Sequence, residues 1–253
     1  MIRVYVDTEA LAGAAADLVV AHGREAIARR GAFLLALAGG ETPRRTYQAL
    51  AAPSRREALD WRRVHVFWSD ERCVPADDPR RNEHLARREL LAHVPVPPAQ
   101  IHAAPGPEDG PEAAAEAYAR TLEAVLHDLD GDGLDLVLLG LGADGHMASL
   151  FPDDPALDAT RPVAAVPAER AGDVPRVTLT PAALATARRL VVLVTGTAKA
   201  EALHLVRHAP RLSAELPAQR IDRPGSDRAV WLVDREAAEG VTGRVGLRDE
   251  ERA

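Results

Sequence analysis

The chain has 253 residues, 47% of them hydrophobic and 27% charged, with a formal net charge of −7 at pH 7. That balance is too apolar for a disordered chain and too interrupted by charge for a membrane protein, and an acidic chain with 4% aromatic residues is poorly suited to nucleic acid. A single cysteine excludes an internal disulfide framework and any multi-cysteine metal site, so a reducing cytoplasm is expected.

In chain order, the first apolar run is strand-sized, residues 2–6, with Arg3 and Asp7 beside it in place of a leader pattern. A helical pattern follows over 11–30, then a strand over 33–38 and a helix that includes 46–51. A strand at 64–68 precedes a helix over 82–93. Residues 95–111, rich in Pro and Gly, read as a long surface connection before a helix over 112–129. A strand at 134–139 follows, and residues 161–175 read as a second loop and a candidate mobile cover. A helix over 181–187, a strand at 190–195, a helix over 198–208 and a strand at 229–233 complete the series.

These strands are near-continuously apolar, as strands buried on both faces are. Their alternation with helices predicts one α/β domain over residues 1–253: a doubly wound, mostly parallel sheet with helices on both faces. Ligands of such sheets sit beyond the carboxyl ends of the strands, near the switch in strand order. The loops after the strands are therefore where function is sought.

The first such loop is Ala38-Gly39-Gly40-Glu41-Thr42-Pro43-Arg44. Gly39 and Gly40 leave backbone N–H groups uncovered, Thr42 suits an N-cap, and Pro43 suits a first helical position. The product is a helix start that attracts an anion such as phosphate. A plain strand-to-helix turn would need the same residues. The second loop, Ser69-Asp70-Glu71-Arg72-Cys73-Val74-Pro75, places charge directly after a buried strand, although a solvated turn does so too. Cys73 has no histidine beside it in sequence and reads as a small buried residue.

The third loop, Gly140-Leu141-Gly142-Ala143-Asp144-Gly145-His146, matches G-x-G-x-x-G. The dinucleotide reading fails, because that motif must open a full helix and Pro152 and Pro155 leave no room for one. Instead the glycines project Asp144 and His146 from a strand end, where a histidine can act as general base near neutral pH. Asp144 could orient that histidine or contact substrate. Ser149 does not lie in a G-x-S-x-G elbow, so a serine hydrolase is not indicated. The fourth loop, Thr195-Gly196-Thr197-Ala198-Lys199, puts the only lysine of the chain at a helix start, a position that suits a bound anion. Arg176 is a weaker cationic candidate. No His, Cys, Asp and Glu set has metal-ligand spacing, and no metal is expected.

Six segments together are far more specific than any one of them: Ala-Gly-Gly-Glu-Thr-Pro (38–43), Ser-Asp-Glu-Arg-Cys-Val-Pro (69–75), Gly-Leu-Gly-Ala-Asp-Gly-His-Met-Ala-Ser-Leu-Phe-Pro (140–152), Arg-Val-Thr-Leu-Thr-Pro (176–181), Gly-Thr-Ala-Lys-Ala (196–200) and Leu-Pro-Ala-Gln (216–219). In this order the chain resembles the 6-phosphogluconolactonase family. The resemblance implies a Rossmann-like α/β/α sandwich and hydrolysis of 6-phospho-D-glucono-1,5-lactone without a cofactor, in the cytoplasm. It implies a small phosphosugar lactone as the partner, with no nucleic acid or membrane, and a monomer more readily than an oligomer. It carries the water-activating base onto His146, acidic site positions onto Asp144 and Asp70, and phosphate or lactone binding onto Gly39, Gly40, Thr42, Arg72, Arg176 and Lys199.

Two departures are visible. Arg81 precedes Asn82 where the family usually has serine, and Asp153 follows Phe-Pro where glycine is frequent. Glucosamine-6-phosphate deaminases share the fold and the Asp-Gly-His turn, but resemble Asp-Glu-Tyr where this chain has Asp70-Glu71-Arg72, and carry a glutamate at the place of Phe151. A sugar-phosphate sensor would need a DNA-binding domain, for which the chain has no room.

Overall fold

The computed structural model describes residues 1–208, 216–222 and 227–239. Its strands are β1 (Ile2–Tyr5), β2 (Phe33–Leu37), β3 (Val64–Trp68), β4 (Asp70–Arg72), β5 (Leu136–Gly140), β6 (Val163–Val166), β7 (Arg176–Leu179), β8 (Arg189–Val194) and β9 (Ala229–Asp234). Six of them form one parallel sheet in the order β1-β9-β8-β5-β2-β3. All six expected strands are therefore in this sheet, and the α/β class is as predicted.

Period-two alternation sorts the side chains of each strand between two cores. Phe33, Leu35 and Leu37 of β2 pack with Leu11 and Val19 of α1 (Thr8–Arg30) and Leu50 of α2 (Glu41–Ala51). Leu34 and Ala36 face the other way, into a core with Tyr118 and Leu122 of the helix Pro111–Asp128. Every residue of β2 is buried, which is why its sequence is apolar without interruption.

The chain runs from β2 to the edge strand β3, then returns past β2 to β5 and continues through β8 to β9. The winding direction therefore switches between β2 and β5. The loops after those two strands flank the crevice that such a switch opens.

Three expectations need correction. The segments read as loops at 69–75 and 161–175 contribute strands to a second sheet, antiparallel, in the order β4-β7-β6. Strand β6 and the short helix Ala168–Ala171 occupy most of the supposed cover, with Val163 and Val166 buried in the core. Helix 82–93 is an α-helical turn, Asn82–Ala86, continued by a π-helical turn, Arg87–Leu91. Thr42 is not the N-cap of α2: Gly40 holds that place at φ 104°, and no side chain caps the first turn.

At the amino end of the sheet, Asp135 is buried and accepts a hydrogen bond from Leu34 N at 2.8 Å, and one from Arg29 at 2.8 Å. Arg30 binds its second oxygen. These bonds join α1 to β2 and to the entry of β5. Asp135→Ala would leave a buried N–H and two guanidinium groups without their acceptor. It is expected to lower unfolding free energy by about 1–3 kcal/mol, measured by urea denaturation; an unchanged midpoint would contradict this.

Candidate active site

A cavity of ≈ 380 Å³ opens at the carboxyl ends of β2, β5 and β8. Gly39, Gly40, Thr42, Asp70, Arg72, His146, Arg176 and Lys199 all line it. Asp144 does not, but stands directly behind His146.

The loop after β2 enters the cavity with its backbone. Tyr47 of α2 pins Ala38, accepting from its N–H at 2.9 Å and donating to its carbonyl. Gly39 is forced by contact: a Cβ there would lie 1.9 Å from Oδ1 of Asn82. The first turn of α2 then presents uncapped N–H groups, and Glu41 turns out to the arginines, with Arg44 and Arg45 holding its carboxyl below the usual carboxylate range. Thr42, freed from capping, meets Thr195 hydroxyl to hydroxyl at 2.6 Å and so ties the loops after β2 and β8 across the end of β5.

The loop after β5 is a tight turn, not the start of a helix. Gly142 N–H donates to His146 O at 2.8 Å, and Gly145 has φ 83°. A Cβ on Gly142 would lie 2.1 Å from Nδ1 of His146. In that space the imidazole Nδ1 meets Oδ1 of Asp144 at 2.6 Å. Burial works against the charge of Asp144, but the histidine's charge and hydrogen bonds outweigh it and hold the carboxyl below its usual range. The ring of Phe151 lies 4.7 Å from the imidazole. Leu216 packs on Gly145, which gives the Leu216 to Gln219 segment a role in backing this turn. Asp153 adopts φ 58°, a left-handed conformation that favours glycine and that aspartate tolerates better than most residues.

The second sheet supplies the remaining wall. Arg72 of β4 stands opposite Arg176 of β7, and the Nε atoms of both are buried with no hydrogen-bond partner among the described residues. Asp173 pairs with Arg176 at 2.7 Å and Arg72 donates to Arg80 O, which offsets part of the repulsion between like charges opposite across a strand pair; the free Nε groups suit an anion. Lys199 reaches the cavity from the 3₁₀ turn Thr197–Lys199, ahead of the helix Ala200–His208. Gly196, at φ 85°, donates to the Asp234 carboxylate and fixes that turn.

Residues that sequence reasoning did not select complete the site. Asn82 lines the cavity and donates Nδ2 to Asp70 O at 2.8 Å. Ser149, fully buried, donates Oγ to Oδ2 of Asp70 at 2.7 Å. Ala148 lines the cavity at φ 52°, a strained position for alanine. Cys73 is buried, and burial pushes its thiol up, which disfavours the thiolate.

Known proteins resemble this chain over nearly its whole length. Residues 6–231 match the family model for glucosamine-6-phosphate isomerases/6-phosphogluconolactonase. The chain is 38% identical over 242 residues to 6-phosphogluconolactonase of Synechocystis sp., covering 95% of this chain and 98% of that one. It is 37% identical over 243 residues to 6-phosphogluconolactonase of Mycobacterium tuberculosis, covering 94% and 96%. Among solved structures, 6-phosphogluconolactonase from Trypanosoma cruzi superposes with a TM-score of 0.81 at 28% identity, covering 95% of this chain and 96% of that one. A monomeric glucosamine-6-phosphate deaminase, at 22% identity and a TM-score of 0.78, shares the fold. The chain belongs to the glucosamine-6-phosphate isomerase/6-phosphogluconolactonase family.

Proposed function

We propose that the chain hydrolyses 6-phospho-D-glucono-1,5-lactone to 6-phospho-D-gluconate, the second step of the oxidative pentose phosphate pathway, by general-base activation of water at His146. The observation that carries this reading is the Asp144–His146 pair, at 2.6 Å, at the wall of a cavity that also holds Arg72, Arg176 and Lys199. The similarity to lactonases over nearly the whole chain supports the substrate.

With Asp144 accepting from Nδ1–H, the imidazole presents Nε2 as a free acceptor. Nε2 takes a proton from water as the water oxygen bonds to C1 of the lactone. The tetrahedral oxyanion collapses, the bond from C1 to the ring oxygen breaks, and that oxygen takes a proton from the imidazolium. Asp144 orients the ring and stabilises its charged form, a role its place behind the cavity supports. The phosphate sits on Arg176, Lys199 and the start of α2 at Gly39, Gly40 and Thr42. Arg72 supplies positive charge to the oxygen that becomes anionic, and Asp70 accepts from a sugar hydroxyl. Binding energy from the remote phosphate holds C1 beside the water. A cytoplasmic monomer is the form proposed for the chain.

The deaminase reading is weakened by Phe151. An apolar ring packs on His146 where ring opening of an amino sugar would call for a carboxylate.

The test is a weakly buffered indicator assay on lactone made in place from glucose 6-phosphate by its dehydrogenase. Proton release well above the spontaneous rate is expected. His146→Ala is expected to lose roughly 10²–10⁴-fold in kcat, and full activity in that variant would remove His146 as the base. Lys199→Ala is expected to raise KM roughly ten- to hundredfold with a smaller change in kcat; an unchanged KM would take Lys199 off the phosphate. Gly142→Ala forces the imidazole away from Asp144 and is expected to fold normally by circular dichroism yet turn over as poorly as His146→Ala. Wild-type kcat in that variant would show that the Asp144 contact is dispensable.

A further inference from the structure

Arg81 stands directly before the cavity residue Asn82. It is buried and is not among the cavity's lining residues. Its guanidinium donates to Val74 O at 3.1 Å and to Ala104 O at 2.6 Å, and lies 3.2 Å from the Glu83 carboxylate and 3.9 Å from that of Glu71.

Glu71 is the junction. It is 1% exposed, and its carboxylate accepts from three backbone N–H groups: Arg72 at 2.7 Å, Asn82 at 2.7 Å and Glu83 at 2.8 Å. One carboxylate thus binds β4 to the helix Asn82–Ala86. On one side of the junction, Arg72 faces Arg176. On the other, Asn82 donates to Asp70 O and fills the space that Gly39 leaves open. Three walls of the cavity meet at this buried charge.

We infer that Arg81 is a positioning residue for the lactone site, acting as the counter-ion that keeps the Glu71 carboxylate charged and so holds Arg72 and Asn82 in register. The inference rests on the lactonase reading for its effect on turnover, but not for its effect on Glu71.

The surrounding groups leave Arg81 as the compensating charge. Asp70 from β4 and Glu83 from the following helix add negative charge. Tyr47 from α2 and Tyr118 from the helix Pro111–Asp128 also feel Glu71, and burial raises both phenols far above their usual value, so they are neutral. Burial pushes Glu71 up to about 7, against the pull of the backbone N–H groups and Arg81. Deleting the guanidinium removes a force that lowers this value, so Glu71 takes up its proton at a higher pH. A protonated carboxyl has one oxygen that no longer accepts well, and the clamp on the three N–H groups weakens. The site is then assembled only above the raised value.

The test follows kcat/KM across neutral pH, with the 15N–1H signals of Arg72, Asn82 and Glu83 in the same samples. Arg81→Met is expected to move the amide titration midpoint and the acid limb of kcat/KM upward by about one to two pH units. KM should rise below that limb and recover above it. Arg81→Lys should keep the wild-type profile. Glu71→Gln, permanently neutral, should be slow at every pH, with amides that no longer titrate. An equal loss at every pH in Arg81→Met, or amides that titrate as in the wild type, would overturn the inference. Should Arg81→Met fail to fold, wild-type kcat/KM in Glu71→Gln would overturn it instead. Wild-type chain without lactonase activity, but with amides that shift in Arg81→Met, would sink the proposed function and leave the inference standing.

Discussion

A parallel sheet delivers the carboxyl ends of all its strands to one edge, and a reversal of winding direction parts the chain above that edge. Here the reversal lies between β2 and β5. That reversal leaves a polar cavity over the carboxyl ends of strands as apolar as β2 and β8. The loops that border it are short and must carry functional groups within contact distance of one another. Glycine is the residue that permits this: Gly39 yields space to Asn82, and Gly142 yields space to the imidazole of His146. The contact between Thr42 and Thr195 then closes the rim over the end of β5. The geometry of the site is thus a consequence of topology, refined by the absence of two Cβ atoms.

Electrostatics completes what topology begins. The chain carries a formal charge of −7, yet its cavity gathers Arg72, Arg176 and Lys199. The second sheet is what brings the two arginines opposite each other, with Asp173 paired to Arg176 at 2.7 Å. In the proposed reaction the substrate's phosphate meets Arg176 and the developing oxyanion meets Arg72. The carboxylates are held by named donors. Asp70 is fixed by Ser149 and Asn82, Asp144 by His146, and Glu71 by three backbone groups. The buried Nε atoms of Arg72 and Arg176, without a partner among the described residues, leave the cavity wall suited to an anion.

The sequence carried the main sheet in full, because strands buried on both faces are continuous apolar runs and the helices between them are periodic. It also brought forward the strand-end residues that now share one cavity. The second sheet was unreadable for physical reasons. Strand β4 is Asp-Glu-Arg, with no apolar alternation, and its partner β7 lies about a hundred residues later, so its pairing is a tertiary event. Asn82 and Ser149 escaped notice because their importance rests on tertiary contacts with Asp70, which no local pattern announces. The Thr42 cap was misplaced by two residues because glycine at φ 104° starts α2 earlier than a hydroxyl would suggest. Arg81 was visible only as a departure from the family; its burial against Glu71 and Glu83 gives the departure a meaning.

The orientation of substrate in the cavity is the point on which the proposed chemistry depends. A crystal structure with the product, 6-phospho-D-gluconate, measures it directly. The phosphate should lie on Arg176, Lys199 and the start of α2, with the C1 carboxylate within hydrogen-bond reach of Nε2 of His146. A phosphate seated against His146, with C1 toward Lys199, would contradict the assignment of His146 as the base.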